Sequence, residues 1–451
     1  MRIRSAVAVL LTATLLLACS SSGKKTSSSS SSGSSSSQAA LTASFRGITA
    51  TDIKIGVAVV DFQCIAQFVD FNQGDAQKIV TALVDDINKK GGIGGRQVKI
   101  VFKSLCPLKP DDVAAACTSF TDDEQVFAVI GAYDPPPSDG SNQLCVTKDK
   151  ETALITELTT QKTIDGSTPG LLLTPHIAPE RQLTALLDLV KKNNTLAGKK
   201  VALLADQTNQ DSAQKAVSDF ASAAGLQTGS TAVLTINGAD TTGAQQQLDS
   251  FIEKWKQENV NALVMSGLLV SAKQFVEKIK AAIPGMQLLS DDSGVAEQGN
   301  DEVKAGKNPN PYEGLITLNG PNDDETFALP GVQACVTAYQ QATGETVVAP
   351  KDLKPGPDGK TAKVFEGLED RCAELAILKQ LLEKAGPNPT NDSWIAAVKS
   401  IGTFQLPTNP IASFHDGKYD AADGFRLATF DSSIPPAGDF KAQGELTDVT
   451  K

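Results

Sequence analysis

Histidine is nearly absent from this 451-residue chain; His176 and His415 are the only two. So little imidazole leaves scant material for a Ser–His–Asp triad, and neither G-x-S-x-G nor H-E-x-x-H occurs. The seven cysteines (Cys19, Cys64, Cys106, Cys117, Cys145, Cys335 and Cys372) include no C-x-x-C pair, and both histidines are remote from them in sequence. Zinc therefore lacks its usual ligand spacing. Lys and Arg total 41 against 52 Asp and Glu, a net charge of −11 with no basic cluster, which argues against nucleic acid. Beyond the first residues no apolar run approaches the ~20 residues of a membrane-spanning helix. A carboxylate-pair glycosidase stays open, because acids are plentiful. The composition, 41% hydrophobic and 21% charged, is ordinary for a globular protein.

What is present at the start is a leader pattern. Arg2 and Arg4 precede the apolar stretch Ala6 to Leu17, which is too short to span a bilayer. The run Leu16-Leu17-Ala18-Cys19 resembles the lipobox of bacterial lipoproteins. That resemblance implies cleavage before Cys19 and a lipid on its thiol, so residues 1–18 are expected to be a signal peptide. The competing reading is an ordinary signal peptide with a chance cysteine. Loss of the two arginines takes the net charge from −11 to −13. Ser20 to Gln38 is almost all serine. With nothing apolar to bury it cannot offset its ordering entropy, and residues 19–50 are expected to be a lipidated, disordered tether. Six cysteines remain, and disulfides are the default in an exported chain.

From Asp52 onward, short β-branched runs alternate with amphipathic helices. Ile53 to Val60 reads as a buried strand. Ala76, Ile79, Val80, Leu83, Val84 and Ile87 form a helical stripe that stops at Gly91-Gly92. Further strands are predicted at Val98–Phe102, Val126–Ile130 and Ala153–Thr156. A second series from near Pro175 places strands at Lys199–Ala205, Thr231–Ile236, Val260–Met265 and Met286–Leu289, with helices between them. A strand at Leu315–Leu318, helices near 330–341, 366–385 and 392–401, and strands at Ile411–Phe414 and Phe425–Phe430 complete the chain. Such alternation means α/β architecture with parallel sheets covered on both faces. About 400 residues is too long for one core and predicts two domains.

The segment Asp86-Ile87-Asn88-Lys89-Lys90-Gly91-Gly92-Ile93-Gly94-Gly95-Arg96-Gln97-Val98 resembles the first helix and turn of the leucine-binding-protein family. These are type I periplasmic substrate-binding proteins of branched-chain amino-acid ABC transporters. The likeness extends loosely from Ile53 to Phe430. It implies two Rossmann-like lobes joined by three crossovers, near Leu173–Pro175, Asp292–Gly299 and Gln405–Pro410. Lobe one would be 51–173 plus 297–405, lobe two 174–296 plus 408–440, and 441–451 a C-terminal tail. Ligand would sit outside the carboxyl ends of the strands, between lobes that hinge shut. The same topology favours the pairing Cys64–Cys106, Cys117–Cys145 and Cys335–Cys372 out of about fifteen connectivities.

The strand-end loops supply the candidate ligand-binding residues. By the family's pattern Ser138, Thr156 and Thr159 suit a ligand carboxylate, and Asp206 and Asp291 an ammonium. Glu157 follows the fourth strand, and Tyr133, at the end of the third, is expected to face the cleft. Each Asp or Thr reads equally well as a helix N-cap or a solvated loop residue. Two departures stand out. Tyr133-Asp134-Pro135-Pro136-Pro137-Ser138 replaces the family's short Gly/Ser loop, and Gly267-Leu268-Leu269-Val270 lacks the acid expected after lobe two's third strand. The expected role is a lipid-anchored, extracytoplasmic, monomeric solute-binding protein that works with ABC permease subunits and takes a small polar molecule, without cofactor or catalysis. A sensor on the same fold and an exported hydrolase are the alternatives.

Overall fold

The alternation of strand and helix resolves into two large sheets, beside which the described residues form two small two-stranded ones. A computed structural model describes residues 40–64, 71–106, 109–134, 139–207, 210–236, 242–267, 270–291, 294–304, 306, 308–354, 361–435 and 438–450. In the first lobe β1 (Asp52–Val60), β2 (Gln97–Leu105), β3 (Ala128–Gly131), β4 (Ala153–Ile155) and β5 (Leu172–Leu173) form a sheet in the order β2-β1-β3-β4-β5. Every pairing is parallel, and β1 runs beside β2 from Asp52↔Gln97 to Val60↔Leu105.

The glycine-rich turn explains itself in contacts. Helix Ala76–Lys89 is capped by the Asp75 side chain and buries Ile79, Val80, Leu83 and Val84 on the predicted stripe. Asn88 near its end both donates to the Val98 carbonyl, at 3.0 Å, and accepts from the Val98 N–H, at 2.7 Å, so it clamps the helix to β2. Gly92 lies at φ +76°, where a Cβ would stand 1.8 Å from the Arg96 carbonyl oxygen; only glycine closes this turn. Arg96 is buried and donates to the carbonyls of Thr49 and Pro387, both at 2.6 Å, and of Thr42 at 3.0 Å. It thereby fastens the amino-terminal segment onto the lobe. Ile48 is buried and Phe45 meets Phe127 edge-on at 6.2 Å. The expected tether is accordingly too long at its far end: residues 41–50 pack against the first lobe.

The second sheet is mixed. Its strands are β6 (Lys200–Asp206), β7 (Gln227–Thr228), β8 (Ala232–Leu234), β9 (Ala262–Ser266), β10 (Gln287–Ser290), β11 (Ile316–Asn319), β12 (Gly424–Asp431) and β13 (Asp439–Asp448). They run β13-β12-β11-β10-β9-β6, and both β7 and β8 pair with β6. Alternate residues serve opposite faces, as a doubly covered sheet requires. Val201, Leu203 and Ala205 belong to the apolar cluster shared with the first lobe, whereas Ala202 and Leu204 join Trp255, Phe275 and Tyr312 in a second cluster.

Three boundaries differ from expectation. The chain does not return to lobe one near Asp292–Gly299, because β11 still pairs with β10 and β12; it leaves the second sheet after Asn319. The third crossing falls beyond Gln405–Pro410, since Gly402–Thr403 and Ser413–Phe414 pair antiparallel before the chain reaches β12. Residues of the expected tail form β13, an antiparallel edge strand on β12. Its sequence, DFKAQGELTD, is polar and exposed for most of its length, so no apolar pattern betrays it. The six cysteines pair as Cys64–Cys106, Cys117–Cys145 and Cys335–Cys372, with Cα separations of 5.8, 6.3 and 6.1 Å.

Candidate functional site

The carboxyl ends of β1, β3 and β4 come together in the first lobe. Gly131 closes β3 at φ +110°, where a Cβ would lie 2.1 Å from the Ala58 carbonyl oxygen. The chain then turns inward. Tyr133 is 1% exposed, donates its hydroxyl to the Val113 carbonyl at 3.2 Å and lies 6.5 Å from the Phe120 ring. Burial, reinforced by the Asp134 charge, pushes its phenol far above the usual range. Tyr133 is thus a core plug and not the cleft-facing residue expected; a tyrosine's apolar body favours burial once its hydroxyl finds a partner.

The two threonines are committed to the scaffold. Thr156 is buried and donates to the Tyr133 carbonyl at 3.3 Å. Thr159 donates to Gln143 Oε1 at 2.8 Å, and Gln143 Nε2 donates to the carbonyls of Leu158, at 2.8 Å, and Tyr133, at 3.3 Å. Gln143 pins the loops after β3 and β4 together. Nothing in the sequence signals it, since a lone glutamine in a short helix carries no pattern.

Glu157 forms an ion pair with Arg371, which projects from helix Val364–Ala385 to the end of β3. Arg371 Nε lies 3.3 Å from Glu374 Oε2. Glu374 is wholly buried and neither of its oxygens makes a hydrogen bond. Burial pushes its carboxyl up to about 8, with Arg371 pulling down and Asp370 pushing up. His176, on the first crossover, stands half exposed with Nε2 3.2 Å from Asp370 Oδ1. Loss of water lowers the imidazole's pKa, but the Asp370 hydrogen bond and charge outweigh it and the net direction is upward. Leu158, 51% exposed, flanks this group. Sequence reasoning named Glu157 and missed its partners, because Arg371, Glu374 and Asp370 lie far along the chain inside a helical stripe.

In the second lobe Asp206 ends β6 and is buried. Gln207 beside it exchanges two 3.0 Å hydrogen bonds with the Ile236 backbone, tying the ends of β6 and β8. Asp291 accepts from Ser266 Oγ at 2.5 Å and from the Gly267 N–H at 3.0 Å, so it closes the turn after β9. Ser138 and Cys19 fall outside the described residues. A groove of about 440 Å³ between helices Ala76–Lys89 and Pro330–Thr343 contains none of these residues. Among the described residues no group of three His, Cys, Asp or Glu is placed to hold a metal ion, and no helix is long and apolar enough to cross a membrane.

Comparison with known proteins matches this architecture. A family described as periplasmic binding protein matches residues 72–433. No curated protein sequence matches the chain. Among solved structures, a solute-binding protein of an ABC transporter from Rhodopseudomonas palustris BisB5, in complex with 3,4-dihydroxybenzoic acid, is 14% identical, with 89% of this chain and 98% of that one covered and a TM-score of 0.57. An ABC transporter substrate-binding protein from Desulfitobacterium hafniense in complex with leucine is 17% identical, covering 87% and 100%, with a TM-score of 0.56. A fatty acid ABC transporter substrate-binding protein from Thermomonospora curvata is 16% identical, covering 90% and 94%, with a TM-score of 0.57. At such identities the likeness is one of fold, the type I periplasmic-binding-protein fold. With the family match spanning well over half its length, the chain belongs to the periplasmic binding protein family.

Proposed function

We propose that this chain is the extracytoplasmic solute-binding protein of an ABC importer, tethered to the membrane through a lipid on Cys19. It captures a small polar organic molecule between its lobes, which close about the crossovers, and presents it as a monomer to the permease subunits. The observation that carries the reading is two sheets, linked by three crossings, whose strand-end loops hold the polar and charged side chains. Open α/β sheets take their ligands at those ends. The relatives named above, two bound to small carboxylates and one named for fatty acids, support a small organic ligand of the same general kind. The matching family and the relatives named above are binding proteins, which supports a binder over a hydrolase.

Thermal unfolding over amino acids, amines, amides and small acids tests it. A ligand at about 100 times its Kd is expected to stabilise the fold by about 2.7 kcal/mol, a shift of a few degrees. Absence of any shift, with no small molecule retained on the purified protein, would overturn the reading. The anchor is tested separately: the full-length chain is expected in the membrane fraction and Cys19→Ala in the soluble one. Retention of the variant at the membrane would exclude the lipid tether.

A further inference from the structure

We infer that His176 and Leu158 are the ligand-facing pair at the hinge side of the cleft, and that they take an uncharged hydrogen-bonding group, such as a carboxamide, carried on an apolar skeleton. The inference rests on the solute-binding reading above.

The two residues lie just beyond adjacent parallel strands. β4 and β5 pair through Leu154↔Leu172 and Ile155↔Leu173. Carried a few residues further, that register sets Leu158 abreast of His176. One hydroxyl holds the two chains together there. Thr174 Oγ1 donates to the Glu157 carbonyl and accepts from the His176 N–H, both at 3.2 Å. Gln143 Nε2 fixes the Leu158 carbonyl at 2.8 Å, so the Leu158 side chain stands 51% exposed on a fastened backbone. Leu158 and Val348 are the large apolar side chains exposed among the described residues, and only Leu158 follows a strand of the two large sheets. An apolar skeleton would cover it.

The charges beside this pair are closed upon one another. Arg371, 5% exposed, is held by Glu157, and His176 Nε2 faces Asp370 Oδ1. Glu374, pushed up to about 8 by burial above all, keeps its proton at neutral pH, and burial with the charges of Asp370, Asp323 and Glu366 pushes Glu369 upward as well. The half-exposed imidazole is therefore the polar group most open to solvent. With the Nε2 proton turned to Asp370, Nδ1 carries a lone pair on the neutral ring and a proton on the charged one. It meets either the N–H or the carbonyl of an amide. An ammonium would have to share acids that Arg371 and His176 already hold, and a carboxylate would meet Glu157 and Asp370 with both cations engaged, so each would lose hydration without full compensation. The residues expected for those two charges serve the scaffold. Thr156 and Thr159 donate to the Tyr133 carbonyl and to Gln143, and Asp291 accepts from Ser266 and Gly267. The competing explanation is a crossover pinned to helix Val364–Ala385 by its ion pairs, with His176 and Leu158 facing only water.

Calorimetric titration of the full chain with matched sets separates the two. The probes are 3-methylbutanamide, 3-methylbutanoate, isopentylamine and leucine, and likewise phenylacetamide, phenylacetate, phenethylamine and phenylalanine. In at least one set the amide is expected to bind, and its charged counterparts to bind about tenfold more weakly or worse. His176→Ala is expected to weaken the amide by about tenfold and Leu158→Ser by about fivefold, while Asp219→Asn, on an exposed helix face, leaves it unchanged. Urea midpoints verify that each variant is folded. A charged member that binds as tightly as its amide, or undiminished affinity in both folded variants, would overturn the inference. Where no probe binds, native mass spectrometry of the purified protein decides. A retained molecule without an ionised group supports the inference, and one that carries such a group overturns it but leaves the solute-binding reading standing. No retained molecule overturns both.

Discussion

Glu374→Gln is expected to make the fold more stable at pH 8 by roughly 3–5 kcal/mol while changing little near pH 5. The sign follows from burial. The folded carboxyl titrates at about 8, against an ordinary value of 4.5. Below pH 4.5 both folded and unfolded chains carry the proton, and the side chain imposes no ionisation penalty. As pH rises from there the unfolded chain releases its proton and the native one does not, so stability falls by about 1.4 kcal/mol per pH unit until the folded group titrates. Glutamine keeps the shape and removes the proton equilibrium. His176 works in the same direction, because its imidazole is raised by Asp370: its contribution is whole below its ordinary pKa and fades as pH rises through the folded one. The wild-type chain therefore loses stability between pH 5 and 8, and Glu374→Gln flattens that profile. Urea midpoints at pH 5, 6.5 and 8 measure the difference. Parallel profiles for the two proteins would show that Glu374 is ionised in the native state, and the account of the cluster would fail.

That cluster also shows how far the sequence alone reaches. The period of apolar residues identified most strands of the two sheets, though not Leu172–Leu173 or Gln227–Thr228, and the helix ending at Gly91-Gly92, because burial imposes that period directly. It did not say to which sheet a strand belongs. Ile316–Asn319 reads as a strand in either lobe, and only its pairing with β10 and β12 places it in the second. Asp439–Asp448 shows the opposite failure, a strand held by backbone hydrogen bonds at a sheet edge, with too few buried side chains to leave a pattern. At the site, Glu157 was visible as an acid after a strand, whereas Arg371 looked like any charged residue on a long helix. Tyr133 misled for a related reason. Rarity and position suggest the cleft, but the direction of a side chain after a glycine turn is set by the space beneath it, here under Val113 and Phe120.

Asp420→Asn is expected to destabilise the fold by about 3–5 kcal/mol, far more than Ser413→Ala in the same contact network, at about 1 kcal/mol. Asp420 Oδ2 accepts from Arg181 Nε at 2.6 Å and from the Ala178 N–H at 2.8 Å. Arg181 also donates to Asp423, at 2.9 Å, and to the Ala422 carbonyl, at 2.6 Å. Lys418 Nζ stands 3.0 Å from Asp423 and 3.5 Å from Asp420, and Ser413 Oγ donates to Asp423 at 2.7 Å. Two cations and two carboxylates thus balance in a buried space, and neutralising one carboxylate leaves an excess positive charge there. Lys418 is already lowered by burial, against the pull of Asp420, so the variant is expected to relieve part of the strain by shedding the lysine proton, and its deficit grows as pH falls. The network bears on the proposed closure because of what it joins. The Thr174 N–H donates to the Tyr419 carbonyl, and the Ala421 N–H to the Thr174 carbonyl, so the first and third crossings run as one short parallel ribbon riveted by these charges. Lobes that move about such a ribbon bend it as a unit. Asp420→Asn is therefore expected to speed amide exchange at Thr174, Ala178 and Ala421 together, before any change in the β1–β4 amides. A stability loss no larger than that of Ser413→Ala, or exchange that rises evenly through both sheets, would show that the charges pack the crossings without fastening them.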